Sequence, residues 1–450
     1  MSRFRWLMTV AMALPQAAFA TDKPNILLIL ADDLGYGDLG SFGQTVIQTP
    51  NLDRLATEGM RLTSFYAGST VCAPSRCALM TGLHTGHGRV RGNKLIPLLP
   101  EDATLPEMLQ QQGYRTALIG KWGLGEPETT GLPNRQGFDV FFGYLNQHHA
   151  HNYFPDYLWK NTERYSLKNI QSPVDGVAET KLEYSPDLML REALAFLETS
   201  REQPFFLYFA STLPHTNNEL GRVTGNGMEI LDDAPYHERD WPQQQKNHAA
   251  MITRLDRDVG RLLEKLHELN LDDNTLVLFT SDNGPLNEGG GNAEFFHSSG
   301  PFRGHKRDLT DGGIRAPTII RWPGQITAGT DCAEPCANWD LFPTFAEITG
   351  GTIPNALDGV SLLPLLKHPQ HRLPSRFLYW EFHERGFSQA VRYEQWKAIR
   401  LKPSAALELY DVVGDPGETQ NVAASHPDLI RTLETYLRTA RTSSAEFPTP

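Results

Sequence analysis

Between Asn25 and Ala31 the chain reads Asn-Ile-Leu-Leu-Ile-Leu-Ala, a short apolar run with no polar alternation. Such a run is typical of a strand buried on both faces, the usual setting of a parallel sheet. Arg115–Gly120, Phe205–Ala210, Leu276–Thr280 and Thr318–Ile320 share this texture. Helical patterns lie between them. The clearest is Asn247–Leu269, where Ile252, Leu255, Val259, Leu262, Leu263 and Leu266 recur at three- and four-residue steps. Asp187–Thr199 and Leu105–Gln112 are shorter examples. This alternation predicts an α/β fold, a mostly parallel central sheet flanked by helices. Ligands of such folds bind beyond the carboxyl ends of the strands.

After about Gly359 the pattern changes. A loop rich in Pro and His (Lys367–Pro374) leads to three strand-like runs without intervening helices, Arg376–Phe382, Ala390–Leu401 and Leu407–Val412. An amphipathic helix over Pro427–Arg441 follows. A small antiparallel sheet with one helix is expected, dividing the chain into an α/β catalytic domain (residues 21–370) and a C-terminal subdomain (residues 371–450). A total of 450 residues also exceeds what one core usually supports.

Arg3 and Arg5, the apolar run Trp6–Leu14 and the small-residue exit Ala18-Phe19-Ala20 form the layout of a secretory signal peptide over residues 1–20. The run is shorter than the roughly 20 residues a bilayer span needs. An exported protein, periplasmic or secreted, without membrane insertion is therefore expected. With 53 acidic against 41 basic residues and no Lys/Arg-rich run, nucleic acid and anionic membranes are poor partners. An anionic substrate would have to be drawn by local groups. Four cysteines are too few for a disulfide framework, although the spacing of Cys332 and Cys336 allows a short bridge of small stabilising effect, and Cys72 and Cys77 allow another.

Asp32-Asp33 directly follow the first buried run, and Ser281-Asp282-Asn283-Gly284 directly follow the fourth. Either pair alone reads as a helix cap. Together, at matching strand ends, three carboxylates and one amide oxygen make a hard-oxygen site suited to Ca²⁺ or Mg²⁺ rather than Zn²⁺. In Cys72-Ala73-Pro74-Ser75-Arg76 the proline can open a helix, with Cys72 at its N-terminus, where negative charge is favoured. The spacing leaves a low-pKa thiol, a disulfide partner and a catalytic group all open.

That string resembles the signature of the type I, formylglycine-dependent sulfatases, in which the Cys is oxidised to 3-oxoalanine before folding. Further stretches resemble the family's motifs in the family's order. They are Asp32-Asp33-Leu34-Gly35-Tyr36-Gly37-Asp38, Thr81-Gly82-Leu83-His84-Thr85-Gly86, Gly120-Lys121-Trp122-Gly123-Leu124-Gly125, Pro214-His215, Ser281-Asp282-Asn283-Gly284 and Gly304-His305-Lys306. One motif is weak; an ordered set across roughly residues 25–320 is specific. The resemblance is to bacterial arylsulfatases and exported enzymes similar to N-acetylgalactosamine-6-sulfatase, and it implies an alkaline-phosphatase-like fold.

By position, the resemblance implies that Asp32, Asp33, Asp282 and Asn283 hold Ca²⁺. It also implies that the hydrated aldehyde made from Cys72 attacks sulfur, its second hydroxyl later expelling sulfate. Arg76 would orient that hydrate, Lys121 and Lys306 would clamp the sulfate, and His215 would protonate the leaving oxygen. The implied partners are a sulfated sugar or aryl sulfate and a formylglycine-generating maturation enzyme. One position departs from the pattern: many relatives carry His two residues after the motif Lys, where Gly123 stands here. The stretch Gln147–Pro155 is the expected source of a replacement base, His151 first and His149 second, with sugar-contacting loop histidines an equal alternative. His149, Asn217, Asn218, Glu219 and Arg303 are candidate substrate contacts, and Arg91 and Asn93 weaker ones. Tyr153, Phe154, Tyr157 and Trp159 form an aromatic patch that reads as a sugar platform or as core. Alternative functions are a phosphomonoester or phosphonate hydrolase on the same fold, or an inactive binder of sulfated glycans.

Overall fold

The computed structural model describes residues 23–353 and 356–449, so the leader read over residues 1–20 lies outside the described residues. Ten strands form one sheet. In chain order they are β1 (Asn25–Ala31), β2 (Met60–Leu62), β3 (Arg115–Lys121), β4 (Val140–Tyr144) and β5 (Tyr157–Lys160). Then come β6 (Glu163–Ser166), β7 (Phe205–Ala210), β8 (Thr275–Ser281), β9 (Ile319–Arg321) and β10 (Thr330–Cys332). Their spatial order is β10-β2-β9-β8-β1-β7-β3-β4-β5-β6. The five central strands, β8 to β4, run parallel. The fifth apolar run, β9, lies antiparallel to β8.

The apolar run of β1 works as its composition requires. Leu27 and Ile29 face one core with Ile252, Leu255, Val259 and Leu262 of the long helix Gln243–Glu268. Ile26, Leu28 and Leu30 face the other, with Leu105 and Met108 of the helix Leu105–Gln111 and with Phe342 and Phe345. Each such side chain, taken fully out of water, contributes about 1.5–3 kcal/mol. With both faces covered, only the carboxyl edge of the central strands is left for chemistry. Among the described residues no helix is long and apolar enough to cross a membrane.

The C-terminal segment forms a four-stranded antiparallel sheet: β11 (Phe377–Phe382), β12 (Ser388–Tyr393), β13 (Trp396–Arg400) and β14 (Glu408–Asp411). The run read as one strand over Ala390–Leu401 is in fact a hairpin, turning where Tyr393 pairs with Trp396 and Glu394 adopts φ 54. The helix Pro427–Thr439 covers one face through Leu433 and Leu437. On the other face Trp380, Ala390 and Ile399 pack against Tyr66, Val71 and Trp339.

All four cysteines are free thiols, which corrects the short bridges the spacing allowed. Cys72 and Cys77 lie on one helix, and Cys332 and Cys336 are held by strand pairing opposite Leu62 and Phe65. The C-terminal sheet is also tied down by charge. Lys397 Nζ, fully buried, donates to Asp311 Oδ1 at 2.7 Å and lies 3.1 Å from Glu418 Oε1. Removing one member of a buried ion cluster leaves uncompensated charge and costs about 3–5 kcal/mol. Lys397→Ala should therefore lower the calorimetric unfolding midpoint clearly; an unchanged midpoint would show that these carboxylates do not depend on it.

Candidate active site

Loops leaving the carboxyl ends of β1, β3, β7 and β8 meet at one point. Asp32 N donates to Leu213 O and Asp282 N to Ala31 O, both at 3.1 Å, so the ladder continues just past the strands and sets the acids side by side. Asp33 adopts φ 66, a conformation Asp tolerates better than most residues, and its N–H donates to Asp282 Oδ1 at 3.1 Å. Asn283 Nδ2 donates to Asp33 Oδ1 at 2.7 Å. The other amide atom, Asn283 Oδ1, is buried without any hydrogen-bond partner.

The helix α1 (Cys72–Thr81) starts against these acids. Asn93 Oδ1 accepts from Ala73 N at 2.9 Å, and Ser75 Oγ accepts from Gly68 N at 3.0 Å, fixing its first turn. Cys72, 2 % exposed, places Sγ 3.3 Å from Asp32 Oδ1. Burial first, then the Asp32 charge, pushes its thiol well above the ordinary range. This runs against the low-pKa thiol that a helix N-terminus allowed, and a neutral thiol is a poor nucleophile. Arg76, one turn on, donates through Nε and Nη2 to Asp282 Oδ2 at 3.1 and 2.8 Å and through Nη1 to Lys121 O at 2.5 Å.

Two lysines complete the charge pattern. Lys121 Nζ, at the end of β3, is 2.6 Å from Asp32 Oδ2. Lys306 Nζ donates to Asp33 Oδ2 at 2.7 Å, to Glu288 Oε1 at 2.9 Å and to His215 Nε2 at 3.0 Å. His215 donates Nδ1–H to Thr216 O at 2.7 Å, so Nε2 carries the lone pair that Lys306 meets. Burial and then Lys306 push its pKa down to about 3, so it is neutral. Burial and the Asp32 charge raise Asp282 to about 7, whereas the Lys121 and Arg76 charges overcome burial and hold Asp32 well below the usual carboxylate range.

Asp32, Asp33, Cys72 and His215 each bring one ligand atom within 4.8 Å of the others. Clustered carboxylates with an orphaned amide oxygen fit a hard cation that takes oxygen ligands, while the imidazole beside them, His215, has its Nε2 taken up by Lys306.

The remaining sequence candidates divide. His151 stacks on His215 with ring centroids 4.8 Å apart and an interplanar angle of 11°, and its Nδ1 lies 2.9 Å from Glu219 Oε2. Glu219 thus serves the histidine; burial opposes its charge, but the His151 hydrogen bond holds it down near 2. His149 turns instead to Tyr157 and Tyr144, beside a cavity of about 460 Å³ lined by Asn146, Asp156 and Gln171 among others. Asn217 is buried as the N-cap of the helix Asn218–Thr224, accepting from Leu220 N at 3.0 Å and donating to Gly176 O and Glu229 Oε2, both at 3.0 Å, so both amide hydrogens are spent within the fold. Asn218 is partly exposed in the first turn of that helix. Arg303 points away from the acids, its guanidinium 5.1 Å from the Tyr410 ring centroid. In the aromatic patch, Tyr153 and Phe154 are core; the Tyr153 hydroxyl donates toward Thr212 O and His215 O at 2.7 and 2.6 Å and so braces the His215 loop.

Two side chains of the site had no signal in the sequence, and a third stood only at the head of the Gln147–Pro155 stretch. Glu288 accepts from Lys306 and, at 2.7 Å, from Arg307 Nη1, while Arg307 also reaches Glu384 Oε2 at 3.2 Å on the loop after β11. The third is Gln147.

Comparison with known proteins gives the family. A family model described as Sulfatase matches residues 24–351, and one described as N-sulphoglucosamine sulphohydrolase, C-terminal, matches residues 302–443. The chain is 34% identical over 391 residues to N-acetylgalactosamine-6-sulfatase of Homo sapiens, covering 81% of this chain and 69% of that protein. It is 34% identical over 480 residues to Arylsulfatase A of Bos taurus, covering 93% and 87%. The solved structure of Ps i-CgsB in complex with k-i-k-neocarrahexaose superposes with a TM-score of 0.78 at 29% identity, covering 92% of each chain. With a family model matching well over half its length and relatives above 30% identity, the chain belongs to the sulfatase family, the sulfuric ester hydrolases of the alkaline-phosphatase-like superfamily.

Proposed function

We propose that this enzyme removes sulfate from sulfated carbohydrates, using a formylglycine made from Cys72 and a Ca²⁺ held by Asp32, Asp33, Asp282 and Asn283 Oδ1. The observation that carries this reading is the packing of residue 72 against Asp32 and, more loosely, Asp33, in a buried acid cluster that Arg76, Lys121 and Lys306 also meet. The substrate class follows from relatives that act on sulfated sugar and from the neighbour that holds an oligosaccharide. The basic and apolar layout of residues 1–20 supports export, and the change of sequence texture supports a division near residue 370.

The cation would supply positive charge to the sulfate oxygens. A hydrated aldehyde at residue 72 would supply the nucleophilic oxygen that the high-pKa thiol cannot. The rest belongs to the protein's own side chains. Lys121 and Lys306 meet the non-bridging oxygens of the ester in a site where burial strengthens each contact. Arg76, locked between Asp282 and Lys121 O, fixes the first turn of α1 and so the direction of residue 72. Lys306 Nζ and His215 Nε2 share a proton 3.0 Å apart and offer it to the leaving oxygen. His151, with Nδ1–H directed at Glu219, keeps Nε2 free to take a proton. Because Cys72 is almost fully buried in the fold, its oxidation by a maturation enzyme must precede packing of α1.

Assay of the matured protein against position-defined sulfated mono- and disaccharides tests this directly: sulfate release from at least one is expected, and release from none overturns the reading. The His151–Glu219 pair gives a sharper prediction. Burial lowers the His151 pKa and the Glu219 contact partly restores it. Glu219→Gln removes that support, so kcat should fall about 10- to 100-fold and the acid limb of its pH profile should move to lower pH. A fall in kcat with an unmoved limb would assign Glu219 a purely structural part.

A further inference from the structure

Gly123 and Gln147 occupy the same space. Gly123 lies two residues beyond Lys121 with φ +88, and a Cβ added there would lie 2.0 Å from Gln147 Nε2. The missing side chain is thus replaced by the carboxamide of another residue. The backbone that carries it is held in place: Gly123 N donates to Leu145 O at 2.9 Å, and Asn146 is fixed on the other side by Glu126 and by the His149 N–H, at 3.1 and 2.9 Å. Downstream, the short turn His149–His151 carries His151 to its stack on His215. Gln147 thus meets the position two residues beyond Lys121 and stands four residues before His151, both parts of the site.

Its amide is also unsatisfied. Gln147 is 8 % exposed, and neither Nε2 nor Oε1 has a hydrogen-bond partner. A buried primary amide lacking both bonds carries an uncompensated desolvation cost for each group left unpaired, and buried groups of this kind almost always have a partner. A sulfate ester fits only half of the requirement. Its oxygens accept and never donate, so they can take the Nε2 hydrogens but offer nothing to Oε1. An aryl sulfate has no donor either. A hydroxyl on the sugar ring, next to the ester, does both: it accepts from Nε2 and donates to Oε1.

We propose that Gln147 is a specificity-determining residue that reads a sugar hydroxyl adjacent to the scissile sulfate, in space that Gly123 leaves open. This deepens the carbohydrate sulfatase reading and rests on it. The test is a double-mutant cycle between the side chain and the hydroxyl. Full-length, matured wild type and Gln147→Leu are assayed for kcat/KM on a sulfated monosaccharide that the wild type hydrolyses and on its set of single-deoxy analogues. Gln147→Leu should lower kcat/KM on the parent sugar by at least about 30-fold. One analogue should lose as much with the wild type, and that same analogue should lose almost nothing more with the variant. Gly123→Ala, whose methyl must displace the amide, should reproduce the coupling. Where Gln147→Leu fails to accumulate, the isosteric Gln147→Glu takes its place. Additive losses at every ring position, or no loss, would overturn the proposal and assign the amide to a trapped water while leaving the sulfatase reading intact. Wild type that releases sulfate from no sugar would bring down both.

Discussion

Alanine at position 72 should abolish sulfate release, lowering kcat by at least about 10⁴-fold, while the unfolding midpoint stays within a few degrees of wild type. The two halves of this expectation have separate physical grounds. Sγ makes one contact of note, 3.3 Å to Asp32 Oδ1, and that carboxylate is already held by Lys121 at 2.6 Å. The first turn of α1 is anchored by Asn93, Ser75 and Asn338, not by the thiol. Little stability is therefore lost with the sulfur. Activity depends on what residue 72 becomes, because the buried thiol beside an anion cannot serve as a thiolate. Steady-state sulfate release and calorimetry on the same preparation check both parts. Retained turnover in Cys72→Ala would remove the residue from the chemistry.

Calcium should raise the unfolding midpoint by several degrees, and chelation should reverse the shift together with activity. At a free concentration of about 100 times Kd, a ligand that binds only the folded state contributes about 2.7 kcal/mol. The acids make the site specific. Their charges are balanced in part by Arg76, Lys121 and Lys306, yet Asp282 is still driven up to about 7 by burial and by Asp32. Asn283 Oδ1 completes an oxygen-only set. Asn283→Ala removes that oxygen and the Nδ2–H that orients Asp33, so the calcium-dependent shift should shrink or vanish. Differential scanning calorimetry with Ca²⁺, with Zn²⁺ and with chelator decides it; a shift of full size in Asn283→Ala, or an equal one with Zn²⁺, would count against the oxygen site.

Some of this molecule could be read directly from its residues. Continuous apolar runs such as Asn25–Ala31 have few solutions other than a strand between two helical layers, and the acids that follow them fall where such sheets open to ligands. The hairpin at Tyr393–Trp396 escaped because its turn is Glu394-Gln395, without the Gly, Asn or Pro that marks most tight turns. Asn217 looked like a substrate contact because it follows His215, but an Asn before a helix caps it. Glu219 was placed near the substrate, and its partner is His151. Glu288 and Arg307 carry no periodicity or motif of their own, and Gln147 was only the first residue of a stretch searched for a histidine base. Their part in the site comes from three-dimensional placement, and only hydrogen-bond accounting in the folded chain brings them out.

The convergence itself is best tested by a crystal of Cys72→Ala grown with Ca²⁺ and a sulfated monosaccharide. The result expected is one ion shared by Asp32, Asp33, Asp282 and Asn283 Oδ1, with the sulfate between Lys121 and Lys306 and its sulfur facing residue 72. A sugar bound with its sulfate out of reach of both lysines, or an ion held by other residues, would contradict it.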